Sequence, residues 1–361
     1  MFRILSLAGG GLRGAFGIGF LCELESRVEH GLWNYFDLIA GTSTGAITAS
    51  ALCRGTTAAE MQAFYEKHAK QIFHPRPKRT PHRALKMMYP MARWFVRQRV
   101  GQNLDHFFGS RYCPQMLEAS MKDGFDNETL RDMTKTRLIV PTVNLTDGVT
   151  HVFRTPHLPI PREDYQWTIS DIILAATAAP TYFPHKTMPD GKDYADGGLW
   201  AIDPGVVALA EAARILRCRD GYCDWRHNGK SVDLSEVHML SLGTGQASYS
   251  LAPPGSDAGM LFWSKHVAEV MSVSQIQGTQ LPLQIVLGDR HRQFDFKLRD
   301  ASWSMDNCEA VDDWFEIGRQ AGRDAAEEIA ETFCRYKTDP YVAFEPDADV
   351  TTEPMASRHA G

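Results

Sequence analysis

Short apolar runs alternate with longer amphipathic stretches along most of the chain. Runs rich in β-branched and aromatic residues predict strands, whereas apolar residues at helical spacing predict helices. The predicted strands are Phe2 to Leu7, Phe36 to Ala40, Arg137 to Leu145, His151 to Arg154, Val237 to Gly243 and Leu283 to Leu287. The predicted helices are Ala15 to Val28, Gly45 to Arg54, Ala58 to Ile72, Ser170 to Ala178, Pro204 to Arg217, Gly259 to Gln277 and Val311 to Phe333.

This alternation indicates an α/β fold. Because strands that alternate with helices form parallel sheets, we expect a three-layer sandwich with a largely parallel central sheet covered by helices on both faces. The chain has 361 residues, of which 43% are hydrophobic, and can bury a large core. We expect a single domain over residues 1–335, with a C-terminal elaboration over residues 250–335. Residues 338–361 are rich in Asp, Glu, Pro and Ala, which predicts a loosely ordered tail.

The charge of the chain narrows the classes of partner. A net charge of -6 with 23% charged residues is typical of a soluble protein and gives no reason to expect DNA or RNA as a partner. No signal peptide is visible, and the apolar stretch Ala15 to Leu24 is too short to cross a bilayer. We therefore expect a cytoplasmic protein whose contact with the membrane is peripheral.

Seven scattered cysteines fit reduced thiols better than a disulfide framework. Cys218, Cys223 and His227 could form part of a metal site, but no fourth ligand accompanies them. We expect unligated thiols, and we expect the protein to need no metal or other cofactor.

One segment departs from the mixed charge pattern. Between Lys67 and Leu104 there are ten Lys or Arg residues and no acid, interleaved with Met, Trp and Phe. Cations beside such apolar residues suit either a surface on anionic lipid headgroups or a cap over an apolar pocket. A solvated loop followed by an ordinary amphipathic helix accounts for the same pattern, so these alternatives stay open.

The first predicted strand leads into a glycine-rich loop, Gly9 to Gly14, before the first predicted helix. Backbone N–H groups at such a position can converge on an anion. The loop is no P-loop, because Ala15 stands where lysine is required. It fits G-x-G-x-x-G, but Asp37 precedes the strand residues Leu38 to Ala40 instead of closing the strand, which counts against dinucleotide binding. A phosphate or an oxyanion is the ligand that remains.

The second predicted strand leads into a G-x-S-x-G turn, Gly41 to Gly45, with Ser43 at its centre. Glycine at both ends permits a tight strand-to-helix reversal that aims the serine into a site, so Ser43 is a candidate nucleophile. A histidine triad is disfavoured, because none of the histidines late enough in the chain lies in a turn that singles it out. Those histidines are His227, His238, His266, His291 and His359.

Asp196 is the candidate base for this serine. Gly197 and Gly198 follow it, and the missing side chains let a carboxylate approach another backbone closely. An ordinary Asp-Gly turn explains the same residues.

Five elements in order resemble the patatin-like phospholipases. They are the triple glycine with Arg13, the Ser43 turn, the run AATAAPTYFP from Ala175 to Pro184, the Asp196-Gly197-Gly198 element and SLGTG from Ser241 to Gly245. The resemblance covers about residues 3–250, and FDFKLRDASWSMDN is similar to the ends of longer bacterial members. Two positions depart from the family pattern. Ala8 stands where many members have an acid or Asn, and Asp203 stands where Asn often precedes proline.

The resemblance implies a patatin-like lipid hydrolase domain with a Ser-Asp dyad, in which Ser43 is the nucleophile and Asp196 the general base. A carboxylate with a pKa of about 3.9 is a weak base, so burial must raise its pKa. Gly41 and Gly45 would form the nucleophile elbow, and Gly197 and Gly198 would support the dyad.

The same resemblance assigns the oxyanion hole to the loop formed by Gly9, Gly10, Gly11, Leu12, Arg13 and Gly14. The N–H groups of Gly10 and Gly11, together with that of Leu12, are its expected donors. Arg13 has two alternative roles, which are to bind a lipid phosphate or to order the loop.

These features predict a lipid acyl hydrolase of phospholipase A type that acts on phospholipid at a membrane surface. A non-catalytic regulator that binds lipid or nucleotide on the same fold is the alternative. The chain also resembles bacterial members that cyclic oligonucleotides activate in antiphage defence, although no nucleotide motif is visible. Oligomerisation is left open.

Overall fold

The computed structural model of the protein describes residues 1–75, 109–219, 232–246, 257–299, 302–339 and 341–345. Most of the basic segment, the centre of the predicted 67–104 cap, lies outside the described residues, as do Cys223 and His227. The same is true of most of the predicted tail. Its described part packs on the domain, because the Thr338 N–H donates to the Asn34 carbonyl at 2.7 Å.

Eight strands form one sheet. The strands are β1 (Phe2–Leu7), β2 (Leu38–Gly41), β3 (Arg137–Asn144), β4 (Val149–Arg154), β5 (Lys186–Thr187), β6 (Asp193–Asp196), β7 (Val237–Leu242) and β8 (His291–Phe294). Their order is β5-β6-β3-β2-β1-β7-β8, and β4 pairs with β3. Neighbours among β3, β2, β1, β7 and β8 are parallel, whereas β4, β5 and β6 extend the sheet through antiparallel pairs. The predicted largely parallel central sheet is confirmed.

Helices cover both faces of this sheet. The helices of the described ranges are α1 (Ala15–Glu25), α2 (Thr44–Arg54), α3 (Ala58–Ile72), α4 (Pro114–Phe125), α5 (Ile169–Ala176), α6 (Gly205–Arg219), α7 (Met260–Leu287) and α8 (Val311–Phe333). Side chains of a strand alternate between the two faces, and both faces of β1 are apolar. Leu5 and Leu7 belong to the core shared with α1, α2 and α8, whereas Phe2 and Ile4 belong to the core shared with α6. The sandwich therefore has three layers.

Helix boundaries follow local chemistry. Thr57 begins α3 with a reciprocal capping box, in which its side chain and the Glu60 side chain each accept from the other residue's backbone N–H. Small residues set the distance between α1 and α8, because a Cβ on Gly318 would lie 2.0 Å from the Phe16 carbonyl oxygen. The two helices thus pack backbone to backbone above β1.

One predicted strand is wrong. Leu283 to Leu287 is the last turn of α7, which continues ten residues past the predicted end through Pro282 (277 to 287). Only Leu283 and Leu287 of this run are buried, and a spacing of four residues is the spacing of one helix face. A short apolar run fits either structure, and the exposed Ile285 and Val286 show which one formed.

Among the described residues, no helix combines the length and the apolar composition needed to cross a bilayer.

Candidate active site

Three glycine-rich turns meet at one edge of the sheet. They follow β1, β2 and β7, which are parallel neighbours, with Leu7 in register with both Gly41 and Leu242. The carboxyl ends of parallel strands share one edge, where α/β proteins bind ligands. The glycine loop, the serine turn and the Gly243-Thr244-Gly245 turn are thus brought together although they lie far apart in the chain.

The serine turn holds a strained backbone. Ser43 has φ +54° and ψ -124°, a region that a residue with a side chain rarely adopts and that costs about 1–3 kcal/mol. The flanking glycines are required by close packing. A Cβ on Gly41 would lie 2.2 Å from the Gly45 carbonyl oxygen, and a Cβ on Gly45 would lie 2.2 Å from the Leu7 carbonyl oxygen. The turn therefore presses against β1 and projects the Ser43 side chain into the site.

Asp196 ends β6 opposite Thr142 of β3, and its carboxylate meets the serine. The Ser43 hydroxyl donates to Asp196 Oδ2 at 2.7 Å, and the Gly198 N–H donates to Asp196 Oδ1 at 2.7 Å. Gly197 gives the clearance for this position, because a Cβ there would lie 2.2 Å from the Pro141 carbonyl oxygen. The two sequence motifs that supply the serine and the aspartate are thereby joined by one hydrogen bond.

Burial makes Asp196 a stronger base than an ordinary aspartate. The residue is 4% exposed, and burial raises its pKa from 3.8 to about 6, although the hydrogen bonds from Gly198 and Ser43 act in the opposite direction. The direction is the one that a Ser-Asp dyad requires, because a higher pKa lets the carboxylate accept a serine proton near neutral pH.

The glycine loop presents two unused amides. Gly11 has φ +62°, a left-handed conformation that glycine adopts without strain. Within the described residues, the N–H groups of Gly10 and Gly11 have no hydrogen-bond acceptor. Both residues line the same cavity as Ser43. These are the amides that can bind a developing oxyanion.

Two expected members of the hole are corrected. The Leu12 N–H donates to the Met305 carbonyl at 2.8 Å, and the Gly9 N–H donates to the Ile202 carbonyl at 2.9 Å. Neither amide is therefore available to a ligand. Gly9 has a different part in the site, since a Cβ there would lie 3.0 Å from Ser43 Cβ. Its missing side chain lets the glycine loop approach the serine.

Three side chains hold the carbonyls of this loop. The Arg13 Nε–H donates to the Gly10 carbonyl at 3.2 Å, and the Tyr65 hydroxyl donates to the Gly11 carbonyl at 2.9 Å. The Thr244 hydroxyl donates to the Gly9 carbonyl at 2.7 Å. Because a peptide unit is planar, the bonds to the Gly9 and Gly10 carbonyls also fix the directions of the Gly10 and Gly11 N–H groups, whereas the Tyr65 bond holds the peptide whose N–H donates to Met305. Tyr65 was missed in the sequence because it lies in the middle of α3 with no motif around it.

Arg13 lies at the rim of the cavity among acidic groups. Burial lowers the pKa of its guanidinium, and the charges of Asp295 and Asp306 offset part of that effect. The Asp295 carboxylate is itself fixed by the Gly245 N–H at 2.7 Å. Arg13 is thus held beside the glycine-rich turns, and its hydrogen bond to the Gly10 carbonyl orders the glycine loop.

The dyad opens into an apolar cavity of about 280 Å³. Its floor and walls are aliphatic and aromatic side chains of α3, α4 and the chain after α5, including Ile72, Leu117 and Phe183. Ala268, Ser272 and Ile276 of α7 form a further part of the wall. Such a lining suits a fatty acyl chain. No motif in α7 predicts that this helix reaches the site.

Asp203, one of the two residues that depart from the family pattern, has hydrogen-bond partners in two other elements. It is buried, and its Oδ1 accepts from the Ser6 hydroxyl at 3.1 Å and from the Gly205 N–H at 2.9 Å. Burial raises its pKa. The carboxylate caps the start of α6 and ties it to β1.

A second serine has a histidine and an aspartate beside it. The Ser120 hydroxyl lies 3.0 Å from His68 Nδ1, and His68 Nε2 lies 3.2 Å from Asp123 Oδ2. Ser120 is buried inside α4, and its hydroxyl donates to the Met116 carbonyl at 2.9 Å. Because Ser120 lies inside a helix and not at a glycine-rich turn, we interpret the cluster as a contact that joins α3 to α4.

Comparisons with known proteins identify chains that are similar to this one. The model of the patatin-like phospholipase family matches residues 5–204, which include the glycine loop, the serine turn and Asp196. The chain is 34% identical over 259 residues to a cGAMP-activated phospholipase of Vibrio cholerae, covering 70% of this chain and 66% of that protein. It is 32% identical over 259 residues to one of Escherichia coli, covering 70% and 64%. It is 29% identical over 297 residues to one of Pseudomonas aeruginosa, covering 82% and 78%. The matched region thus spans just under two thirds of the first two relatives.

Proposed function

The chain belongs to the patatin-like phospholipase family, and we propose that it is a serine hydrolase of phospholipase A type that cleaves acyl esters of membrane phospholipids. The observation that carries this proposal is the 2.7 Å hydrogen bond from the Ser43 hydroxyl to Asp196, at the mouth of an apolar cavity. In the proposed reaction these two residues act as a dyad, in which Ser43 is the nucleophile and Asp196 is the base.

In the first half of the reaction, Ser43 Oγ attacks the ester carbonyl while its proton passes to Asp196 Oδ2. The carbonyl π electrons move to oxygen, and the N–H groups of Gly10 and Gly11 bind the resulting negative charge. Collapse of this intermediate breaks the bond to the lysolipid oxygen, which takes the proton from Asp196. An acyl-Ser43 enzyme remains.

In the second half, water attacks the acyl-enzyme and gives its proton to Asp196. Collapse then expels Ser43 Oγ, which recovers that proton, and the fatty acid leaves. The apolar cavity supports a long acyl chain as the bound part of the substrate, because apolar lining stabilises a ligand in proportion to the apolar area that it buries.

The test is fatty acid release from phospholipid vesicles by the full chain and by two variants. We expect Ser43→Ala and Asp196→Asn each to lower the rate by at least about 10³-fold while both variants stay folded. A fluorophosphonate probe should label the unmodified chain. A non-catalytic regulator would release no fatty acid and take no label, and a variant that kept hydrolysis would refute the dyad.

We also propose that a cyclic oligonucleotide activates this hydrolysis. The support is that three relatives from three bacteria are named cGAMP-activated phospholipases. Fatty acid release measured with and without a panel of cyclic dinucleotides and trinucleotides tests the idea. Strong stimulation by cGAMP is the expected result, and equal rates under all conditions would refute regulation while leaving the hydrolase intact. The setting that fits is a cytoplasmic protein of antiphage defence that damages its own cell's membrane.

A further inference from the structure

Helix α7 is unusual for its length and composition. It runs over 28 residues, yet among its described side chains only Leu283 and Leu287 are buried. The sequence of this helix contains two charged residues, Lys265 and Glu269. An ordinary surface helix faces water with charged side chains. The apolar outer face of α7 therefore indicates a contact with something other than water.

The first half of α7 carries an exposed apolar stripe. We name the outer stripe as Met260, Trp263, Val267 and Met271, which recur at intervals of three and four residues and so share one helix face. These side chains are 87%, 45%, 43% and 51% exposed, respectively. Single exposed apolar residues are common, but four in one row form a contiguous surface.

The outer stripe adjoins the mouth of the catalytic cavity. Ala268 and Ser272, which line that cavity, each follow a stripe residue directly in the chain. Successive residues of a helix are about 100° apart, so the face that lines the cavity and the face that carries the stripe meet along one edge. The Gln275 side chain fixes this region to the site, because its amide donates to the Leu199 carbonyl at 3.0 Å.

The second half of α7 anchors the helix at the end of the sheet where the parallel strands begin. Leu283 and Leu287 join the core that contains Phe2 and Val237, the first residues of β1 and β7. The first half therefore projects toward the carboxyl ends of the strands, where Ser43 lies. The exposed Ile285 is about 21 Å along the helix axis from Met271, at 1.5 Å per residue.

We propose that the outer stripe is the docking surface that places the cavity mouth on a lipid bilayer, an inference that rests on the proposed phospholipase function. A substrate acyl chain that enters the cavity must leave a bilayer, so the apolar rim of the mouth is the surface that has to touch it. Trp suits the boundary between headgroups and acyl chains, and Met adds apolar surface that can be buried there. A second copy of the protein on the same stripe would cover that mouth instead.

The composition of α7 also sets the kind of binding. Because the four side chains of the outer stripe are uncharged and the charges of Lys265 and Glu269 on the same helix are opposite, attraction between the stripe and the bilayer comes from apolar burial and not from anionic headgroups. Binding should then be similar on neutral and anionic vesicles. It should also change little when salt rises from about 0.1 to about 0.5 M, which screens charge attraction strongly.

The experiment measures vesicle sedimentation and ester hydrolysis separately, with and without cGAMP. Binding to phosphatidylcholine vesicles is measured in the Ser43→Ala background, so that the lipid stays intact. The test variant is Trp263→Gln with Met271→Gln, and the matched control is Ile285→Gln, an exposed residue (76%) of the same helix far from the mouth. Hydrolysis of a short water-soluble ester is measured with Ser43 present.

We expect the double variant to lose at least about tenfold in vesicle affinity and to keep its rate on the soluble ester, whereas Ile285→Gln stays within twofold in both. Unchanged vesicle binding by the double variant would overturn the proposal. So would a strict need for anionic lipid, or a shift in oligomeric state as the sole effect of the double variant. If vesicles bind through the stripe but the unmodified chain hydrolyses neither ester, docking stands and the phospholipase proposal fails.

Discussion

The turn after β1 and the turn after β2 are built alike and used differently. Both join a buried parallel strand to a helix through glycines, at the same edge of the sheet. In the serine turn, Gly41 and Gly45 leave room for backbone, and the backbone of Ser43 between them is strained. In the glycine loop, Gly10 and Gly11 leave their own N–H groups without a partner among the described residues.

The difference teaches what glycine contributes at each place. Around Ser43 it permits contact between backbones that a methyl group would force apart, so its loss should act on folding. In the first loop it exposes peptide dipoles to a ligand, so its loss should act on the rate. Substitutions at the two turns can separate these two effects.

The largest effect is expected at the serine turn. Gly45→Ala places a Cβ 2.2 Å from the Leu7 carbonyl oxygen inside the sheet, where no flexible side chain can yield. We expect a loss of about 3 kcal/mol or more in the free energy of unfolding, measured by urea denaturation, with little folded enzyme at 37 °C. Gly278→Ala is the control, because a Cβ there meets nothing within 4 Å. Equal stability of the two variants would contradict close packing at this turn.

The next effect is expected at the glycine loop. Gly10→Ala directs a methyl group at Thr244, whose hydroxyl oxygen would lie 2.2 Å away, so the loop must shift. We expect kcat of the folded protein to fall by about 10²–10³-fold, as for loss of an oxyanion donor, and the loss of stability to be smaller than in Gly45→Ala, because the methyl group meets a side chain and not backbone. Gly17→Ala in α1, where the nearest atom is 3.8 Å from the added Cβ, should keep full activity. A full rate in Gly10→Ala would remove this loop from the mechanism.

A smaller effect separates the two roles of Arg13. If the side chain orders the loop through its bond to the Gly10 carbonyl, Arg13→Gln should lower kcat about tenfold on phospholipid and on an uncharged ester alike. Exposed Arg27 provides the control, and Arg27→Gln should match the unmodified chain. A rise in KM confined to phospholipid would show instead that the guanidinium binds the phosphate.

The smallest effect on the rate is expected from a change in pH. The base must be ionised, and burial raises the pKa of Asp196 to about 6, so kcat/KM on a soluble ester should be constant above pH 7 and fall below pH 6. At pH 5 the carboxylate is about one tenth ionised, which predicts a loss of about tenfold. A rate that stayed constant to pH 4 would mean that Asp196 has an ordinary pKa or is not the base.

The parts of the site that the sequence predicts are those with local signatures. Ser43 lies between two glycines after an apolar strand, and Asp196 precedes two glycines, so each is visible by itself. The distance between them is set by the sheet. Strand β2 pairs with the first half of β3 and β6 pairs with the second half, on the same side of β3, so the ends of β2 and β6 lie close together. The sequence offered Asp196 as a candidate base for Ser43 and the family resemblance implied a dyad, but neither predicts the distance between the two side chains.

The errors have a common physical cause. Leu12 was expected in the oxyanion hole, but its N–H is taken by the Met305 carbonyl, a partner that lies almost a whole chain away. Tyr65 and Thr244 hold the loop through hydrogen bonds to residues 54 and 235 positions away in the chain. The strand predicted at Leu283 to Leu287 failed because tertiary burial, not composition, decides between a helix and a strand for five apolar residues.

The central claim is that Ser43 is activated by Asp196, and mass spectrometry of the fluorophosphonate-treated protein tests it most directly. The account predicts one adduct, on the peptide that contains Ser43, which forms at least about 10²-fold more slowly in Asp196→Asn and not at all in Ser43→Ala. An adduct on another residue such as Ser120, or equal labelling rates with and without the Asp196 carboxylate, would contradict it.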